Sequence, residues 1–139
     1  MLNGRYSFNI NEKGRLFVPS KMRDNLGAKF ILSKSPTDRC LVIYPMEKWE
    51  KILEKLEQNS TATKGVRRRL FGNAEEMETD KQGRIIVPQA LREFADLDGE
   101  VTIIGTGDSV EIWNAQTYAE YEAEEDGEAM EKLLIEYGL

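Results

Sequence analysis

Apolar and polar positions alternate over Phe8-Asn9-Ile10, and after a polar break continuous apolar runs follow at Leu16-Phe17-Val18, Phe30-Ile31-Leu32 and Leu41-Val42-Ile43-Tyr44. Short runs of this kind bounded by turn residues predict β-strands. Between the first two, Asn11-Glu12-Lys13-Gly14 has the chemistry of a hairpin turn: an Asx side chain to accept backbone N–H groups, then a glycine for positive φ. Pro19 at the first helical position predicts a short helix over residues 20–25 that ends near Gly27. The later strand pair is joined by a loop containing Ser35-Pro36-Thr37-Asp38, and Pro45 closes the unit.

The unit then repeats. Asn11-Glu-Lys-Gly-Arg15-Leu-Phe-Val-Pro19 lies over Asp80-Lys-Gln-Gly-Arg84-Ile-Ile-Val-Pro88 at an offset of 69 residues, and the same offset superposes Tyr44 and Trp49 on Trp113 and Tyr118. Residues 76–79 and 85–87 flank the second turn, Pro88 opens a helix to Ala95, and 101–104 pairs with 110–113. Outside the repeats, Trp49, Ile52, Leu53 and Leu56 fall at i, i+3, i+4 and i+7, the apolar stripe of a helix over 46–58. A second helix over 64–71 carries Arg67, Arg68 and Arg69, and two acidic helices, 115–124 and 128–137, surround Asp126-Gly127. The expected organisation is a first module over 1–45, a helical connector over 46–75, a second module over 76–118 and an acidic helical segment over 119–139. Each module is too small to bury much apolar surface alone. Pairing the two into one pseudo-twofold β core, each completing the other's sheet edges, is the economical α+β architecture.

Composition narrows the function. The chain has no His and one Cys, so neither a Ser-His-Asp nor a Cys-His pair can form, and structural zinc chemistry lacks its ligands. Cys40, before an apolar run, reads as a core thiol. No apolar run is long enough for a membrane span, and the first residues lack the pattern of a signal peptide, so a cytoplasmic protein without membrane partners is expected. No phosphate-cradling glycine loop occurs, and adjacent acids such as Glu75-Glu76 do not make a catalytic pair. No cofactor, metal, small-molecule substrate or catalysis is therefore expected. The net charge of -6 is concentrated in residues 119–139, which hold eight acids and one base, so the rest of the chain is close to neutral and free to carry a basic face.

That face is predicted at the repeated turns. Lys13, Arg15, Lys21 and Arg23 cluster in the first repeat, and Lys81, Arg84 and Arg92 in the second. Arginine on a rigid turn can pair bidentately with phosphate or a guanine edge, while lysine adds charge without reading sequence. The competing reading is that Arg15 and Arg84 only tie down their own turns, Arg84 through Asp80. For Arg67, Arg68 and Arg69, ion pairing across helices or subunits competes with DNA contact, since consecutive helical residues cannot all face one partner.

The paired Asn11-x-x-x-Arg15 and Asp80-x-x-x-Arg84 turns, each running into Gly-Arg-hydrophobic-x-Val-Pro, resemble the Asp-x-x-x-Arg signatures of the MraZ family. Gly4-x-Tyr6 and Tyr44-Pro45-x-x-x-Trp49 extend the likeness over the whole chain. The resemblance implies two tandem AbrB/SpoVT-like swapped-hairpin modules in a pseudo-twofold β-barrel with flanking helices. It also implies a homo-oligomeric ring, octameric or larger, and a nucleoid-associated transcriptional regulator that binds double-stranded DNA at repeated sites upstream of the bacterial division and cell-wall genes. On this reading Lys13, Arg15, Lys21, Arg23, Lys81, Arg84 and Arg92 face DNA, and Asn11, Gly14, Asp80 and Gly83 shape the turns. Asn11 departs from the family pattern, leaving Arg15 without the ion-pair partner that Asp80 offers Arg84. The alternative is a ring-forming structural or protein-interaction module without specific DNA binding.

Overall fold

The computed structural model describes residues 1–139. The first repeat supplies β1 (Arg5–Ile10), β2 (Arg15–Phe17), α1 (Ser20–Leu26), β3 (Phe30–Lys34) and β4 (Leu41–Pro45), followed by α2 (Met46–Gln58) and α3 (Lys64–Phe71). The second supplies β5 (Glu75–Met77), β6 (Arg84–Ile86), α4 (Gln89–Ala95), β7 (Gly99–Gly105) and β8 (Val110–Asn114), followed by α5 (Ala115–Glu125) and α6 (Glu128–Glu136). Six strands form one antiparallel sheet in the order β1-β7-β8-β4-β3-β5, and β2 and β6 form a separate two-stranded ribbon. Read from either edge the sheet presents equivalent strands of the two repeats, with β4 against β8 at its centre.

The hairpin expectation needs correction. The Asn11 turn does close, with the Gly14 N–H donating to the Asn11 carbonyl at 2.9 Å, yet β1 and β2 then part company. β1 pairs with β7 from Arg5↔Ile104 to Ile10↔Gly99, and β2 pairs with β6 from Arg15↔Ile86 to Phe17↔Arg84. In the second repeat β5 likewise leaves β6 and pairs with β3. A local hairpin would set a six-residue strand against a three-residue one and leave half of β1 unpaired; exchange between repeats gives it a full-length partner. The edges β1 and β5 are not joined by any ladder.

One cluster of 19 buried apolar residues fills the space between sheet and ribbon. Phe30, Leu32, Leu41 and Ile43 meet Val101, Ile103, Val110 and Ile112 there, and Leu16 and Ile85 enter from the ribbon's inner face. Burial of such a side chain contributes about 1.5–3 kcal/mol. Because both repeats supply it throughout, neither would keep this core alone. The sheet's other face is covered by helices: Trp49 of α2 stacks near Tyr44 at 5.7 Å, and Trp113 packs under Tyr118 of α5 at 5.3 Å. The aromatic pair recurs with its two residue types exchanged.

Pro19 and Pro88 do introduce helices, but as N-caps and not as first helical residues. Their ψ angles of 137° and 147° are extended, and the Pro19 carbonyl accepts from Met22 and Arg23 as the Pro88 carbonyl does from Leu91 and Arg92. Neither α3 nor α6 contains a buried residue. No helix is long and apolar enough to cross a membrane.

Candidate nucleic-acid interface

The ribbon is the feature that organises the predicted basic residues. Side chains alternate across it, so Leu16 and Ile85 point to the core while Arg15, Phe17, Arg84 and Ile86 share the opposite face. In register, Arg15 stands opposite Ile86 and Arg84 opposite Phe17, a pseudo-twofold arrangement of two arginines and two apolar residues. The Arg84 guanidinium lies 5.9 Å from the Phe17 ring centroid. Phe17 is 45% exposed and Ile86 61% exposed, so this face is uncovered within the chain.

At each end of the ribbon sits one turn. Asn11 Oδ1 accepts the backbone N–H groups of Lys13 at 3.0 Å and Arg15 at 2.9 Å, and Asp80 Oδ1 accepts those of Gln82 and Arg84, both at 2.9 Å. These Asx bonds leave the side chains of Lys13 and Lys81 exposed at the tips. Asp80 also pairs with Arg84, Oδ2 to Nε at 3.2 Å, whereas Arg15 has no acidic partner in the chain. The Arg84 backbone N–H, then the Gln82 N–H and the Arg84 guanidinium, hold the Asp80 carboxyl below the ordinary range for Asp.

The turns are also hooked to one another. The Val18 N–H donates to the Gly83 carbonyl at 2.9 Å and the Val87 N–H to the Gly14 carbonyl at 2.8 Å, so each turn is held by the strand of the other repeat. Gly14 and Gly83 have φ of 83° and 80°, the left-handed region that glycine enters without strain.

Arg23 and Arg92 serve these hooks. Arg23 Nε donates to the Val18 carbonyl at 3.1 Å and its guanidinium rests against Gly83. Arg92 Nε donates to the Val87 carbonyl at 3.0 Å, and its Nη1 reaches across to the Glu12 carbonyl at 3.1 Å. The predicted DNA-facing pair thus clamps the turn of the opposite repeat, adding side-chain contacts to the backbone bonds that already join the two. Lys21 is exposed on α1, outside the turns. Sequence reading missed Phe17 and Ile86. The available signal was the run of three apolar residues in each repeat, Leu16-Phe17-Val18 and Ile85-Ile86-Val87, whose middle member must face outward at the same position of both.

Elsewhere, Arg67 lies over the Phe71 ring at 5.3 Å, and none of Arg67, Arg68 and Arg69 joins an ion pair within the chain. Cys40 is fully buried, and desolvation together with Glu111 pushes its thiol up to about 12, which suits a core residue and not a nucleophile.

Comparison with known proteins agrees with the repeat. A family model described as "MraZ protein, putative antitoxin-like" matches residues 1–69 and again 70–133. The chain is 43% identical over 129 residues to a protein of Acetivibrio thermocellus named transcriptional regulator MraZ, covering 91% of this chain and 90% of that one. It is 39% identical to the protein of the same name from Halothermothrix orenii, over the full length of both. A third such relative, from Heliobacterium modesticaldum, is 40% identical, again over the full length of both. With both repeats matched in succession and likeness of this level from end to end, the chain belongs to the MraZ family.

Proposed function

We propose that this chain is a sequence-specific, DNA-binding transcriptional regulator that works as a ring-shaped homo-oligomer, octameric or larger, on repeated sites upstream of the bacterial division and cell-wall genes. The name shared by its relatives supports the regulatory role. The observation that carries the DNA reading is the common outward face of Arg15 and Arg84 on one two-stranded ribbon, with Lys13 and Lys81 at its tips. A β-ribbon fits the major groove, where arginine can fork onto guanine and apolar side chains can meet the thymine methyl. Arg15 and Arg84 then read bases, Phe17 and Ile86 add apolar contacts, and Lys13 and Lys81 hold phosphates. Lys21 lies outside the turns and is assigned to the phosphate backbone; Arg23 and Arg92 are assigned to the turns they clamp. The exchange of β1 and β5 between repeats supports reading the core as a tandem swapped-hairpin barrel.

The test is a titration against duplex from upstream of the chain's own gene and against scrambled duplex, at several salt concentrations. The expected result is a specific excess whose log K falls with log salt at a slope of about -0.9 per phosphate contact. Equal binding to both duplexes overturns specificity. No binding at any salt overturns the reading in favour of a structural or protein-interaction module.

The asymmetry between Asn11 and Asp80 makes a second expected result. Arg84 is held by an acid and Arg15 is not, so Asn11→Asp should weaken binding by restraining Arg15, and Asp80→Asn should strengthen it by releasing Arg84. Affinities for the specific duplex at low salt measure both. Unchanged values in the two variants would remove the ion pair from any role in recognition.

A further inference from the structure

Two surfaces outside the ribbon are left incomplete by the chain, and they match. On α6, Met130, Leu133, Leu134 and Tyr137 recur at i, i+3, i+4 and i+7, an apolar stripe with Glu131 and Glu136 on its flanks. Past the partly covered Met130 the stripe is open: Leu133 is 49% exposed, Leu134 42% and Tyr137 83%. A nine-residue helix with no buried residue is marginal by itself, so the stripe calls for a partner. On the opposite repeat, α2 and α3 border an open cleft of about 560 Å³ against the sheet. Ile52, Leu56, Val66 and Leu70 give it apolar walls, and Lys55 and Arg69 line it without an ion-pair partner in the chain. The helix is apolar with acidic flanks and the cleft is apolar with basic ones.

We propose that the cleft between α2 and α3 receives α6 of a second copy of this chain. The apolar stripe fills the cleft, and Glu131 and Glu136 meet Lys55 and Arg69 at its borders. This rests on the assembly part of the proposed function and names the surfaces that build it. Groove and helix are different patches of one molecule, and the ring of the proposed function takes the contact head-to-tail from copy to copy instead of as a reciprocal exchange within a pair. The acidic C-terminal segment is thereby an assembly element, and part of the basic α3 is spent on subunits and not on DNA.

The full-length chain carrying Leu56→Cys and Leu134→Cys tests this directly, because Cys40 is buried and takes no part. Mild oxidation is expected to give a covalent ladder of dimers and larger species without reductant. Monomers only, whether free or closed by an internal bond, would overturn the proposal. Should that variant misfold, charge reversal provides the same decision. Lys55→Glu with Arg69→Glu is expected to lower the mass measured by light scattering, and adding Glu131→Lys with Glu136→Lys to the same chain is expected to restore it. An unchanged mass in the first variant overturns the docking site alone, while a monomeric wild-type chain overturns ring assembly with it. Both outcomes are distinct from loss of DNA reading, which the salt titration scores separately.

Discussion

Replacing Arg15 and Arg84 together by alanine is expected to abolish discrimination between specific and scrambled duplex while leaving the fold intact. Each bidentate arginine–guanine contact contributes about 1–3 kcal/mol of discrimination, so one chain loses roughly 2–6 kcal/mol if the two act independently. In a ring the loss multiplies, since neighbouring copies bind through one another's effective concentration. Stability should change by no more than about 1–1.5 kcal/mol, because neither guanidinium bonds a buried atom and Arg84 has only the exposed Asp80 and the half-exposed Phe17 ring as partners. Arg23→Ala and Arg92→Ala make the contrast. Both remove a donor to a strand carbonyl and should lower the unfolding temperature more than the Arg15 and Arg84 changes do. Thermal unfolding beside the duplex titration checks the two halves of the argument. Retained specificity in the Arg15/Arg84 double variant would move recognition off the ribbon.

Gly14→Ala is expected to carry the largest cost in stability among the positive-φ glycines Gly14, Gly83 and Gly27. At φ 83° a Cβ is strained by about 1–2 kcal/mol whatever surrounds it. Here it would also fall 2.6 Å from the Val87 carbonyl oxygen and 2.9 Å from Arg92 Nε. The first of these is backbone and cannot swing aside, so the Val87 N–H bond to the Gly14 carbonyl must open, which costs about 1–3 kcal/mol more. The sum is on the order of 2–5 kcal/mol, a large share of the roughly 5–15 kcal/mol that holds a domain together. Gly83→Ala should be milder, because the atoms its Cβ would meet belong to the flexible guanidinium of Arg23. Gly27→Ala should cost only the conformational part, since at φ 80° its Cβ would find nothing within 4 Å. Urea unfolding of the three variants checks the order Gly14, Gly83, Gly27. A Gly14 variant no weaker than the Gly27 variant would show that the turn is not locked to its neighbour.

Much of this molecule was legible in its order of residues. The 69-residue offset carried strand for strand and helix for helix, and the apolar stripe of Trp49, Ile52, Leu53 and Leu56 marked α2 as a helix with one packed face. The Asx turns at Asn11 and Asp80 were readable because they are local: an acceptor side chain closes on N–H groups two and four residues away. The split between Arg84 and Arg15 followed from one residue type, acid or amide. Strand partners were not readable in the same way. Alternation with a period of two reports which face a residue occupies and says nothing of which strand lies beside it. β1 was therefore assigned to its neighbour in sequence, when the neighbour in space was β7.

The roles of the basic residues divide along the same line. Residue type determined that Arg15, Arg23, Arg84 and Arg92 are donors clustered at two turns, and the repeat determined that they come in pairs. Only the tertiary structure decided that Arg15 and Arg84 share one exposed face, that Phe17 and Ile86 stand between them, and that Arg23 and Arg92 donate to the Val18 and Val87 carbonyls just past the ribbon strands. Local chemistry reaches a few residues along the chain, so turns, caps and stripes can be read from it. Which face two distant turns present together is set by pairing β2 with β6, a contact across some seventy residues that no local pattern encodes.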